Sequence, residues 1–511
     1  MAELRKHGLM VTTPPILSIP SLCTTEGQVC GQPKQRHTLY DKTIISLPIS
    51  QLQASMELVP EDNLTPLIDT EEQLDKESRA LPLVIRERDV RYQSSRVILY
   101  RKLLQAYPHR KKKIWSESLT DVVPQYRPHI WAALLNIPSN SGSLYAGIDK
   151  ESWTPVDRQI EVDIPRCHQY NELLASPEGH RKLKRVLKAW VADNPNLVYW
   201  QGLDSLAAPF LFLNFNNESL AWACLSAFIP KYLHNMFLKD NAAVIQEYLA
   251  KFSHLQAFHD PVLFNHLDEI GFIPDLYAIP WVLTMFSHVF PLHKIFHLWD
   301  RLLLGNSSFP LCVGLAVLKQ LRAQLMEAQF NECILLFSDM PAVDIDNVVS
   351  TSMDIFTSTP PTLTWREHDC VRREKPGPLD MTSLPVRVLK EEKVGRISGA
   401  DLLSLANNNT KKVLCIDVRP VEEFKLGTLQ DALNIPGDGA FNEAGELVLS
   451  KEEVEMARRK GKVIAVIGSV KDGMDLVLAE RLLKLDFPRV VTVHGGIEVF
   501  RGSGVLVVPN A

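Results

Sequence analysis

Ile160-Glu161-Val162-Asp163-Ile164-Pro165-Arg166 and Tyr199-Trp200-Gln201-Gly202 bracket the stretch on which the reading of this chain turns. Between them Leu183, Val186, Leu187 and Trp190 recur at three- and four-residue spacing, which predicts one face of an amphipathic helix. Arg166 and Gln201 lie 35 positions apart, so no local structure can bring them together. Only a fold can carry both to one surface.

Phosphoryl transfer has a use for such a pair. GTP hydrolysis spreads charge over the phosphoryl oxygens, and its nucleophile is a water that must be held in line. A guanidinium meets the first need, and a carboxamide, which donates and accepts, meets the second. Arg suits the role better than Lys because its planar fork reaches two oxygens at once.

Written as IxxDxxR and YxQG, the two motifs resemble the paired fingers of TBC domains, the GTPase-activating modules that act on Rab proteins. The resemblance implies that Arg166 stabilises transition-state charge and that Gln201 replaces the GTPase's own water-orienting Gln. It further implies that Asp163 orients the arginine-bearing segment, with Tyr199 and Gly202 as supporting residues. Taken singly, Arg166 reads as a surface ion-pair partner and Gln201 as a helix-start residue; the ordered pair of motifs argues against that reading. Residues 126–135, containing Trp131, Leu134 and Leu135, are similar to the opening of the same family. So is the block from Tyr277 through Trp281, Phe286, Ser287, Phe290 and Pro291 to Leu298-Trp299-Asp300, whose aromatics are read as core. Cys167 stands where the family has Thr, and Leu203-Asp204-Ser205 where it has Met-Asn-Asp. Pro165 is tolerated in a first helical turn.

The 511 residues are enough for about three domain equivalents. Apolar residues make up 46% and charged residues 23%, as in a soluble globular protein. A formal charge of −5 gives no reason to expect nucleic acid as a partner. Cys23, Cys30, Cys167, Cys224, Cys312, Cys333, Cys370 and Cys415 show neither CxxC spacing nor a disulfide framework, which fits a reducing compartment without structural zinc. The N-terminus has no signal-peptide pattern. The most apolar span, 270–296, is broken by Pro and His and is unlike a membrane helix. The expected location is cytoplasmic, with peripheral recruitment to endomembranes through partners.

Residues 1–82 read as a partly ordered lead-in. Asp89–Tyr107 is predicted to be helical, and the basic run Arg110–Lys113 to be its solvated end rather than a lipid-binding patch. Further helices are predicted at Ala221–Phe228, Ala242–Phe252 and Pro261–Ile270. His288, His293 and His297 lack an accompanying carboxylate at metal spacing and are read as structural. The helical domain spans 83–356, and 357–393, with five prolines, is read as a linker. No Gly-rich loop, VAIK, HRD or DFG sequence is present, so no kinase activity is expected.

From residue 394 the pattern becomes α/β. Short apolar runs at Val413–Val418 and Val463–Ile467 predict buried parallel strands, and Arg489–Val493 a third. Ser398 with Asp401, and Ser450 with Glu453, mark helix starts. Asp417-Val418-Arg419, Glu423-Phe424, Asn434-Ile435-Pro436 and Gly495-Gly496 with Phe500 resemble a rhodanese domain. A sulfurtransferase needs a thiolate in the strand-to-helix loop. Here that loop reads Gly468-Ser469-Val470-Lys471-Asp472-Gly473, and Ser469 has no base nearby in sequence. Cys415 falls inside a strand. No sulfur transfer is expected, although the loop could bind an anion.

The expected architecture is thus a mainly α-helical TBC domain followed by a smaller α/β rhodanese-like domain with a parallel sheet. This order is similar to the C-terminal part of a family in which a kinase-like domain comes first, so a truncated or spliced homologue is expected. The function implied is activation of GTP hydrolysis by Rab GTPases, with GTP and Mg²⁺ arriving with the substrate and no cofactor of the protein's own. The alternative is a Rab-associated scaffold in endomembrane trafficking, its fingers idle, joined to larger assemblies through the rhodanese-like domain and linkers.

Overall fold

The computed structural model describes residues 86–87, 89–369, 376–407, 412–439 and 461–509; the lead-in and the Ser450 helix start lie outside them. The chain divides into two compact units, one formed by residues up to 239 with 280–306, the other by 240–279 with 307–511. The architecture is mainly helical, followed by a small parallel sheet.

In the first unit, helices Val90–Gln105, Lys111–Ser118 and Arg127–Leu134 precede the central helices Pro177–Asp193, Leu203–Leu213 and Glu218–Tyr232, and Leu292–Leu302 closes it. The basic run opens a helix rather than ending one, and Lys113 is paired with Glu117 one turn on. The expected amphipathic helix begins with Ser176, whose hydroxyl accepts the Gly179 N–H at 2.9 Å, and with Pro177 in its first turn. Its buried face is Leu183, Val186, Leu187 and Trp190. Gly179 is required there: a Cβ would sit 2.3 Å from the Leu173 carbonyl oxygen. Trp131, Phe210, Phe228 and Trp299 form the aromatic centre, with Phe228 stacked on Trp299 at 4.7 Å. Trp281, Phe286 and Phe290 are buried too, as is Tyr277 within the second unit.

The second unit holds helices Ala242–His259, Pro261–Glu269, Phe309–Gln320 and Ile345–Ser358 and a five-stranded sheet. Its strands are β1 Arg396–Ile397, β2 Val413–Asp417, β3 Leu433–Asn434, β4 Val463–Ile467 and β5 Val490–Val493, in the order β1-β5-β4-β2-β3. All neighbours are parallel. β4 is buried at every position, as a strand covered on both faces must be. The short edge strands β1 and β3 carry no apolar run that would announce them. Ile416, Val418, Ile464, Val466, Leu478 and Leu482 share one core with Ala257 and Phe264 of the preceding helices. The proline-rich 357–369 is packed as well, with Leu363 fully buried and Arg366 donating to the Ser307 carbonyl at 2.9 Å.

Candidate functional site

Helix Asp157–Asp163 carries the first motif. Asp157 anchors it, accepting from Thr154 and from Lys188 of the amphipathic helix at 2.7 and 2.9 Å. Burial acts to raise this carboxyl, but the hydrogen bonds from Lys188, Thr154 and Lys184 hold it well below the usual range. Ile160 and Ile164 point inward, and the helix runs into a tight turn, Ile164–Arg166, that leaves Arg166 exposed. Arg166 has no hydrogen-bond or ion-pair partner among the described residues, so it is not spent on a surface ion pair.

The second motif is held from both sides. The Val198 N–H donates to the Phe237 carbonyl at 2.8 Å and the Trp200 indole N–H to the Leu238 carbonyl at 2.9 Å. Gly202 then turns the chain at φ +107° into helix Leu203–Leu213. A side chain there would be strained, and its Cβ would meet the Thr284 methyl at 3.0 Å. Asp204 secures the turn by accepting the Gly202 N–H at 3.0 Å. Gln201 sits just before the helix, exposed, and likewise has no hydrogen-bond partner among the described residues.

One hydrogen bond joins the two motifs. The Tyr199 hydroxyl donates to Asp163 Oδ2 at 3.0 Å, while Gln159 Nε2 lies 3.1 Å from both Asp163 oxygens. Asp163 therefore ties the turn that ends at Arg166 to the segment that ends at Gln201. Burial, with the charges of Asp204 and Asp163, pushes the Tyr199 phenol far above its usual range, so it stays a donor. The sequence pointed to Tyr199 and Asp163 but missed Gln159, although its i, i+4 spacing from Asp163 is the available signal.

Cys167 is buried against Asp204. Burial first, and then the Asp204 charge, raise the thiol well above its ordinary value, so it is a neutral donor. Asp204 is itself pushed up by burial. Val162, Tyr170 and Trp200, within or next to the two motifs in sequence, stay exposed. Of the three histidines, His297 pairs with Glu87 at 3.1 Å. Among the described residues no cluster of three metal-ligating side chains occurs.

In the sheet-bearing unit, Asp417 takes a two-point contact from Arg419 at 3.0 and 2.7 Å and a third hydrogen bond from Thr428 at 2.8 Å. This buried network locks the turn after β2. Cys415 is buried and pushed up to about 12, chiefly by desolvation. The loop after β4 is filled from within: Ser469 donates to Glu498 Oε1 at 2.8 Å, and the Val470 N–H points at Oε2 at 3.4 Å. Sequence reading found no acceptor beside Ser469 because Glu498 lies 29 positions on. A carboxylate in this mouth disfavours the anion that the loop, by its sequence, could have admitted.

Residues 124–326 match the Rab-GTPase-TBC domain model, and residues 400–503 match the rhodanese-like domain model. The chain is 47% identical, over 99% of its length, to the TBC domain-containing protein kinase-like proteins of Mus musculus and of Homo sapiens. It spans 62% of the length of each. Among solved structures, the Ypt/Rab-GAP domain of Gyp1p aligns with 52% of this chain and 98% of its own, at 19% identity and a TM-score of 0.47.

Proposed function

We propose, from the Rab-GTPase-TBC and rhodanese-like domains that the chain carries, that it binds a GTP-loaded Rab GTPase and accelerates hydrolysis by presenting Arg166 and Gln201 in trans. The observation that supports this most is the Tyr199–Asp163 hydrogen bond, which joins two motifs whose terminal side chains are both exposed and unpaired. Arg166 would lie against the γ-phosphoryl oxygens as charge develops between the β- and γ-phosphates. Gln201 would accept from and donate to the water that attacks in line. GTP and Mg²⁺ come with the Rab. Neither changed position removes these groups: Cys167 faces inward, and Asp204 serves the Gly202 turn. Among the described residues no helix is long and apolar enough to cross a membrane, and the proposed place of action is the cytoplasmic face of endomembranes, reached through the Rab.

Single-turnover GTP hydrolysis across a Rab panel tests the reading. An arginine finger contributes about 10³–10⁵ in rate, or roughly 4–7 kcal/mol. Arg166→Ala is expected to lose most of the acceleration on the responsive Rab while still binding it, and Gln201→Ala to do likewise. Unchanged acceleration by either variant would overturn the assignment. Tight binding to a GTP-loaded Rab with no acceleration by the parent protein would make it a scaffold instead. The rhodanese-like segment is proposed to serve contacts, its loop being occupied by Glu498 and its cysteine buried in a strand.

A further inference from the structure

Parallel strands bring equivalent positions to one edge of a sheet. In β2, β4 and β5, adjacent in the sheet, the residue just before the first paired position is Lys412, Lys462 and Arg489 respectively. The register sets Lys412 level with Lys462 and Arg489 level with Val463, one residue further on: the Val463 N–H donates to the Lys412 carbonyl at 2.9 Å and the Ile464 N–H to the Arg489 carbonyl at 2.8 Å. Lys412 and Lys462 thus stand side by side at a strand spacing of about 4.8 Å, and Arg489 joins them on the same cleft at the amino edge. The Glu498-filled loop lies at the opposite, carboxyl edge.

This row is one wall of a cleft of about 670 Å³. Such a volume suits a small ligand. The facing wall is the end of helix Ile345–Ser358 and the turn after it, with Thr357, Ser358 and Thr359; Asp401 and Ser404 complete the lining. Among the described residues none of the three cations is in an ion pair, and Asp401 is the one carboxylate in the lining. Asp401 is engaged by the Thr362 N–H and hydroxyl at 2.7 and 2.6 Å, and Arg489 reaches only the Gly461 carbonyl. Lys412 and Lys462 have no partner among the described residues. The field of Arg489 is felt beyond the cleft: burial first, then the charges of Lys319 and Arg489, drive His259 down to about 3.

The hydroxyl wall has the opposite polarity. Thr357, Ser358 and Thr359 give their hydrogens to the Met353, Asp354 and Ile355 carbonyls at 2.9, 2.6 and 2.6 Å. The Thr357 and Ser358 oxygens are left as acceptors, at a helix C-terminus that favours incoming donors, whereas the Thr359 oxygen already meets His259 Nε2 at 2.7 Å. A ligand matching both walls carries negative groups on one side and hydroxyls on the other.

We infer that the cleft between the amino edge of the sheet and the end of helix Ile345–Ser358 binds a phosphorylated polyol, its phosphates on Lys412, Lys462 and Arg489 and its hydroxyls on the Thr357–Thr359 side. Inositol phosphates have this chemistry, whether free or as a lipid headgroup. Three like charges with no ion-pair partner among the described residues repel one another, and a bound polyanion relieves that repulsion.

Calorimetry on the full chain with inositol hexakisphosphate is the test, alongside flotation with phosphatidylcholine vesicles with and without a phosphatidylinositol bisphosphate. Saturable, salt-sensitive binding is expected, weakened about 100-fold in Lys412→Ala/Lys462→Ala by loss of two charge-assisted hydrogen bonds. Ser404→Trp keeps every charge but fills the cleft, and is expected to abolish binding while the melting temperature of the unliganded protein holds. Flotation only with the phosphoinositide, competed by the soluble compound, would support a headgroup; binding of the soluble compound alone would support a free metabolite. Absence of binding to either probe, or binding unchanged in the double variant or in Ser404→Trp, would overturn the inference.

Discussion

Asp163 is an acceptor whose two oxygens are shared by Gln159 and Tyr199, and it never touches the arginine it was read to orient. Any proposed effect on Arg166 must pass through the backbone of the turn between them. Tyr199→Phe is therefore expected to leave both proposed fingers chemically intact while loosening their relative placement. Acceleration of GTP hydrolysis should fall roughly 10-fold or more, as small misplacements do, with Rab affinity nearly unchanged and stability lower by about 1–2 kcal/mol. Equal loss of affinity would show that Tyr199 touches the partner instead. Arg166 and Gln201 were singled out because each lies in a short motif of fixed spacing, and the structure leaves both side chains exposed. Asp204 was read only as a departure, since nothing local reveals that its carboxylate folds back on Gly202. Glu498 was illegible because its partner Ser469 is distant in sequence.

Helices Arg127–Leu134 and Leu292–Leu302 are joined by one buried carboxylate. Asp300 accepts from Arg127 Nε and Nη2 at 3.1 and 3.0 Å and from the Trp131 indole at 2.7 Å. Asp300→Ala strands a buried guanidinium and is expected to cost about 3–5 kcal/mol, measurable as a fall in urea midpoint. Arg127 is also shared with Glu87. Burial works to raise the Glu87 carboxyl, but the His297 hydrogen bond and the Arg127 charge bring it from 4.5 to about 2. A carboxyl lowered on folding stabilises the protein above its unfolded value, and that contribution is lost as pH falls from 4.5 toward 2. The stability gap between the parent and Glu87→Gln should be steady above that window and close within it; a gap that persists at the acid end would contradict the ion pair. At this scale periodicity served well. The helices predicted at Ala242–Phe252 and Pro261–Ile270 correspond to Ala242–His259 and Pro261–Glu269. Edge strands of two residues carry too little apolar pattern to be read.

For the whole molecule, composition showed where regular structure pauses but not what the irregular stretch packs upon. Prolines between 357 and 393 rule out a long helix, yet Leu363 is fully buried, and a Cβ on Gly395 would lie 2.4 Å from its Cδ1 and 3.1 Å from His254 Cβ. Gly395→Val is expected to destabilise the chain by roughly 1–3 kcal/mol through overpacking. A piece beginning at residue 394 is expected to expose the apolar surface that Ala257 and Phe264 cover, and to give a broad, low-temperature transition by calorimetry. A sharp melt matching the parent's would contradict this. The shared core also sets a schedule for synthesis. Phe264 leaves the ribosome 229 residues before Val493 ends the last strand of its unit. At ordinary elongation rates that is on the order of 10–50 s. Through that interval the nascent helices wait with an uncovered greasy face, so chaperone engagement should concentrate on ribosomes that have passed residue 279 and not yet reached the end of the sheet.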